Sequence, residues 1–239
     1  MNNILFIVEG EVDEVNILGN DTKGLLSLIG VNANVVAVAN PIYELYDFLH
    51  NDEYEDIVSY LKFKKKIQIE RAKGAFSAIY LVFDFEHHYK KYSDEKIIEM
   101  LKFFNNETEN GKLYISYPMI EAFYHINSIP DPEYINRTVD IDLIANSWRE
   151  YKALVSRESC LKKNNIKKEQ YIEIIKENYN KAIKITGLNN GEIDYLSILL
   201  YEINCVNERK YIDVFSTLPL FITDNYFEMI YKEFNLVTW

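Results

Sequence analysis

The chain has 239 residues, 48% of them hydrophobic, enough for one large domain or a compact domain with an appendage. Lys and Arg number 26 against 37 Asp and Glu, and the net charge of -11 argues against a stand-alone nucleic-acid-binding protein that works by bulk charge. The longest apolar runs, such as 4–8 and 79–83, are strand-sized and far short of the ~20 residues of a membrane span.

In chain order, strands are predicted over Asn3–Val8, Ala33–Ala39, Ala78–Phe83 and Lys112–Ser116. Helices are predicted between them at 12–30, 42–72 and 93–107, the second broken near Asn51 and Asp52. Pro41 suits a first helical turn, and Ser93 an N-cap. This alternation is the pattern of an α/β fold, a parallel sheet flanked by helices. After Pro118 strand signals become scarce, and helices are predicted at 119–127, 140–156, 167–186, 191–206 and 222–234, with Pro130 and Pro132 marking a break. The expectation is an α/β domain over 1–125 and a mainly helical region over 126–239 packed on that core. Two cysteines outside any CxxC pattern and an N-terminus that enters a strand directly point to a cytoplasmic protein without a disulfide framework or a membrane anchor.

Two acidic clusters follow strands. The first is Glu9, Glu11, Asp13 and Glu14, behind the apolar run 4–8; the second is Asp84 and Glu86 in AIYLVFDFEHHY. In extended backbone, residues two apart share a face, so the Asp84 and Glu86 carboxylates are expected to converge with Phe85 pointing away. If the first and third strands are neighbours, Glu9, Asp13, Asp84 and Glu86 meet at the C-terminal edge of the sheet, where open α/β sheets place their working groups. Carboxylates gathered this way repel one another, and a hard divalent cation resolves the repulsion. Ordinary acids at a helix start are the competing reading for the first cluster alone.

The strand followed by Glu9-Gly10-x-x-Asp13, with a later strand ending in an acidic pair, resembles the Toprim domain of topoisomerases, primases and OLD-type nucleases. The resemblance covers about residues 1–125 and implies a Toprim-like, Rossmann-like core with helices on both faces. It implies Mg2+ (or Mn2+) held by Glu9, Asp84 and Glu86, with Asp13 at the acidic position often seen after the Glu-Gly pair. One departure is that the second pair reads Asp-Phe-Glu where the family has Asp-x-Asp. The segment YPMIEAF, with Pro118 and Glu121, is similar to the Pro-x-x-Glu segment of small stand-alone Toprim proteins of phage-defence loci, such as the RloB and AbiL types, and implies a supporting role for Glu121. Those proteins often accompany an ABC-type ATPase.

The implied function is a Toprim-type, metal-dependent nuclease acting on DNA or RNA in anti-phage defence, partnered by an ATPase or by a second copy of itself. The alternative is a non-catalytic or regulatory Toprim subunit that docks on an ATPase. A receiver-like signalling domain also gathers acids at strand ends, but it needs a Lys ending a later strand, and Lys112 begins its strand instead. His87 and His88 read as loop residues and His125 as a satisfied core residue. The runs Lys62, Lys64–Lys66, Arg71 and Lys73, and Lys162–Lys163 with Lys167–Lys168, read equally as phosphate-tracking patches or solvated faces.

Overall fold

The computed structural model describes residues 3–19, 24–51, 54–67, 76–162, 165–187 and 193–226. Four apolar strands build the centre: β1 (Ile4–Val8), β2 (Ala33–Ala37), β3 (Ala78–Asp84) and, after the two-residue β4 (Asn105–Asn106), β5 (Gly111–Tyr117). The sheet order is β2-β1-β3-β5-β4. The pairings β1·β2, β1·β3 and β3·β5 are parallel, and β4·β5 is antiparallel. Every residue of β1 is buried, so both faces of the sheet are covered there, which is why the strand reads as an unbroken apolar run. Since β2 lies on one side of β1 and β3 on the other, the chain reverses its direction of travel across the sheet between β1 and β3. That leaves a crevice at their C-terminal ends.

The helices are shorter than the sequence periodicity predicts. The 12–30 segment contains α1 (Asp13–Leu18) and α2 (Leu25–Leu28), flanked by Gly19 and Gly24 with φ of 66° and 101°, conformations that L side chains resist. The 42–72 segment contains α3 (Ile42–His50), which stops at Asn51, and then α4 (Ile57–Ser59) running into a π turn, Tyr60–Lys64. The Asp56 carboxylate restarts the chain by accepting from the Ser59 N–H at 2.7 Å. Asp52 and the predicted helical residues 20–23 and 68–72 lie outside the described residues. Next comes α5 (Asp94–Phe103), where the Ser93 hydroxyl accepts from the Lys96 N–H at 3.2 Å as the cap predicts.

The helix expected at 119–127 is a 3-10 turn, Ile120–Tyr124. Tertiary bonds override its periodicity: the Ile120 N–H is taken by Asp84, and the Ile126 carbonyl accepts from Cys160 N–H. The C-terminal region supplies β6 (Thr138–Asp140), α6 (Ile141–Asn146), α7 (Trp148–Glu158), α8 (Lys168–Thr186), α9 (Tyr195–Asn204), β7 (Tyr211–Asp213) and β8 (Phe215–Ser216). Residues 220–226 are helical, and the rest of the segment predicted at 222–234 lies outside the described residues. Among the described residues no helix is long and apolar enough to cross a membrane.

The two regions share a core. β8 pairs with β5 antiparallel, Ser116 opposite Ser216 and Tyr117 opposite Phe215. Across one sheet face the Phe221 ring meets Phe6 at 5.1 Å and Tyr80 at 4.7 Å, and Tyr195 meets Tyr114 at 5.5 Å. Deeper in the C-terminal region the fully buried Lys181 of α8 donates to Arg137 O at 2.6 Å, Val214 O at 3.1 Å and Tyr134 O at 3.3 Å. It also lies 2.8 Å from Asp213 Oδ1, tying α8 to β7. Burial lowers its ammonium, and burial together with Asp213 pushes the neighbouring Glu202 carboxyl well up.

Candidate functional site

Glu9 is the first residue after β1 and Asp84 the last of β3, so the crevice at the reversal point is flanked by these two acids. The Asp84 N–H donates to Glu9 Oε2 at 3.4 Å. The chain after β1 is held in place on both sides: the Glu9 N–H donates to Val82 O at 3.2 Å, and the Ala39 N–H donates to the Glu9 carbonyl at 2.9 Å. Asp84 Oδ1 in turn accepts from the Ile120 N–H at 2.8 Å, which fixes the 3-10 turn above the crevice.

Burial is the main cause pushing the Glu9 carboxyl up to about 8, reinforced by the charge of Glu86. Burial likewise holds Asp84 well above the usual carboxylate range, with Glu9, Glu14 and Glu121 adding to it. The two strand-end clusters therefore meet electrostatically. Glu86 does so by a route the sequence does not suggest. β3 ends at Asp84 and the chain turns at once, Glu86 N–H donating to Asp84 O at 3.0 Å and His87 N–H to Phe85 O at 2.9 Å. The expected extended alternation of Asp84 and Glu86 is thus replaced by a turn, and Glu86 acts on Glu9 and on Tyr43 of α3.

Phe85 does point into the core, 1% exposed, with its ring centroid 5.1 Å from that of Tyr117. Phe85→Ala is expected to cost ~3–5 kcal/mol in urea unfolding with the local carboxylate chemistry preserved. A loss of activity without loss of stability would place the ring in the site instead.

Asp13 opens α1 at the rim, its backbone carbonyl accepting from the Tyr124 hydroxyl at 3.4 Å. Its neighbour Glu14 goes inward. It is 4% exposed, accepts from the Gly10 N–H at 2.9 Å, and is raised first by burial and then by Glu121 and Asp13. A side chain at Gly10 would run into the Glu14 carboxylate, so the glycine of the Glu-Gly pair makes room for an acid four residues later. Glu121 is fully buried and ion-paired with Lys152 of α7 at 2.6 Å. Burial works against the Lys152 charge, but the bond to Glu121 and the fields of Asp13 and Asp84 outweigh it and raise its ammonium. Lys152 also lowers Glu9.

Sequence reasoning counted Glu14 in the first acidic cluster without placing it in the site, and missed Lys152 and Tyr43. Glu14 carried a usable signal, the four-residue spacing from Gly10; the other two reach the site through tertiary packing. His125 is satisfied in the core as expected, Nε2 bonding Glu158 Oε2 at 3.0 Å and Nδ1 lying 3.3 Å from the Tyr151 hydroxyl. His88 is exposed, but His87 is partly buried and neutral, burial and then His88 pushing its imidazole down to about 4. Arg71, Lys73 and Lys163 lie outside the described residues.

The residues fit a water-rich divalent cation. Glu86 Oε2, the Tyr43 hydroxyl and His87 Nδ1 are buried without a hydrogen-bond partner among the described residues, and the acids around Glu9 are held back from ionising. No three His, Cys, Asp or Glu side chains among the described residues form a finished donor cage. Mg2+ does not need one, since it keeps several waters and binds through one or two carboxylates plus phosphate oxygens. Fold and site together define an α/β protein with a buried acidic centre at the reversal point of a mostly parallel sheet. Compared with family models, curated proteins and solved structures, the chain finds no match.

Proposed function

We propose that the protein is a metal-dependent nuclease of the Toprim type, with a Rossmann-like core, that hydrolyses phosphodiester bonds of DNA or RNA as the effector of a bacterial anti-phage system. The observation that carries this reading is the pairing of Glu9 with Asp84 across adjacent parallel strands, with Glu9 keeping its proton to about pH 8. A bound Mg2+ or Mn2+ would supply phosphate polarisation and an activated water. Glu9, Asp84 and Glu86 are the residues that would hold it, with Asp13 and Glu121 supporting.

The chain's own groups divide the remaining work. Glu9 holds a proton in the metal-free chain that would leave as its carboxylate takes up the metal. Lys152, with 37% of its side chain exposed, offers a positive charge to a non-bridging phosphate oxygen. The test is cleavage of single- and double-stranded DNA and RNA by the purified chain with Mg2+ or Mn2+. Cleavage is expected to cease with chelator and to fall by ~10²-fold or more in Glu9→Gln.

The net charge of -11 favours a second reading, a non-catalytic or regulatory subunit on an ABC-type ATPase. Absence of cleavage on every substrate, with stable co-purification of an ATPase, would select it.

A further inference from the structure

A groove lies between α3 and the π turn, outside the carboxylate cluster but adjoining it. Its cavity of about 530 Å³ is of the size that holds a small organic ligand. Two aromatic rings form part of its wall, Phe48 and Tyr60, with centroids 5.3 Å apart and planes at 57°. Lys64 Nζ sits 5.7 Å from the Phe48 ring and Lys65 Nζ 6.0 Å from the Tyr60 ring. Asn40 bonds the Tyr60 hydroxyl and Asn51 Nδ2 donates to the Asp47 carbonyl, so each amide brings only its remaining hydrogen-bonding atoms to the wall.

Two of the acids of the groove are ion-paired with other lysines, although Glu44 still acts on Lys65. Glu44 is bonded by Lys91 at 2.8 Å, and Asp47 by Lys91 at 2.9 Å and Lys96 at 2.6 Å. Among the described residues Glu55 is the remaining carboxylate on the wall, placed to accept from a base amino group or a sugar hydroxyl. Burial lowers the Lys65 ammonium, so an anion beside it would be welcome. Along the π turn, Phe63 is 74% exposed between Lys62 and Lys64, a second ring face beside the charges. The groove is linked to the acidic centre through the chain. Asn40 follows Ala39, whose N–H holds the Glu9 carbonyl, and Glu44 follows Tyr43, whose hydroxyl feels Glu86 and Glu9.

We infer that this groove seats one nucleotide of a single-stranded nucleic acid, its base against Phe48, which the buried Tyr60 backs, and its phosphate on Lys64 and Lys65, beside the acidic centre proposed to cleave the strand. The inference rests on the nuclease reading and names its substrate class. A base inside a duplex is already stacked and has no face to offer these rings, whereas every single-stranded base does. The local lysines supply the attraction that the net charge withholds. A free mononucleotide shares the chemistry of base and phosphate, and the choice of probes separates it from a strand.

The experiment is fluorescence anisotropy and calorimetry on the full chain in chelator at low salt. The probes are a short single-stranded DNA and RNA, the matching duplex, an abasic strand, adenosine monophosphate and inorganic phosphate. The single strands are expected to bind ~10-fold or more tightly than the duplex and the abasic strand. K64Q/K65Q is expected to weaken binding ~10-fold and to flatten its salt dependence, and K64R/K65R to restore both. If the double variant melts early, K64Q alone carries the test, since Lys64 is exposed. Equal binding of duplex or abasic strand, no response to the lysine changes, mononucleotide binding as tight as the strand, or no binding of any probe overturns the proposal. Wild-type chain that binds single strands through Lys64 and Lys65 yet cleaves none of them supports the groove and sinks the nuclease.

Discussion

On the proposed nuclease reading Glu9→Gln is expected to cut cleavage by ~10²-fold or more and, at the same time, to make the metal-free protein more stable. In the folded chain the Glu9 carboxyl keeps its proton to about pH 8, whereas a free glutamate releases it near 4.5. Between those pH values the unfolded chain has released the proton and the folded chain has not, so stability falls as pH rises through the window. Gln carries no such proton and removes the penalty. Allowing for partial solvent access, the gain is about 2–3 kcal/mol at pH 7, or a melting temperature higher by about 5–10 °C for a chain of this size. Thermal melts from pH 5 to 8.5 check it, and a flat difference between wild type and variant would refute it. The same proton bears on the cation. A ligand carboxylate must ionise, so if Glu9 holds Mg2+ as proposed, affinity in the wild type is expected to rise with pH up to about 8 and binding to release protons, readable by calorimetry in two buffers.

Lys181→Met is expected to cost ~3–5 kcal/mol in urea unfolding, more than any surface substitution, because it strands a buried carboxylate. Asp213 Oδ1 loses its 2.8 Å partner, the carbonyls of Arg137, Val214 and Tyr134 lose their donor, and Glu202 is left beside Asp213 without the intervening ammonium. Adding Asp213→Asn should recover part of the loss by removing the orphaned charge. A double variant no better than Lys181→Met alone would show that the carbonyl bonds, rather than the ion pair, hold α8 to β7.

Strands β1, β3 and β5 were readable to within about two residues because a parallel strand covered on both faces must be a continuous apolar run, and Ile4–Val8 is one; the edge strand β2, only partly covered, was still marked by its valines and alanines. Helix ends were not, because glycine conformations and tertiary bonds set them. Gly19 and Gly24 frame the break in the first predicted helix, and the Asp84 carboxylate captures the amide that would have begun a helix at 120. β8 is two residues long and gave no periodicity to read; its place comes from pairing with Ser116 and Tyr117. In the site, Glu9 and Asp84 were legible as strand-end acids, and Glu86 came close by a turn rather than by the pleat. Lys152 stood 31 residues from Glu121 and became a neighbour only through the packing of α7 on the 3-10 turn.

The dependence of the acidic centre on Lys152, and of β5 on β8, also sets an order of events during synthesis. A nascent chain that has emerged only as far as Tyr124 holds Glu9, Asp84 and Glu121 with no ammonium among them, and its Phe6, Tyr80 and Tyr114 ring face has yet to meet Phe221. Such an intermediate exposes a strand edge and an aromatic surface to whatever is nearby, a situation that calls for a chaperone while the polypeptide is still on the ribosome. A chain cut short by premature termination before Phe221 would therefore be expected to aggregate.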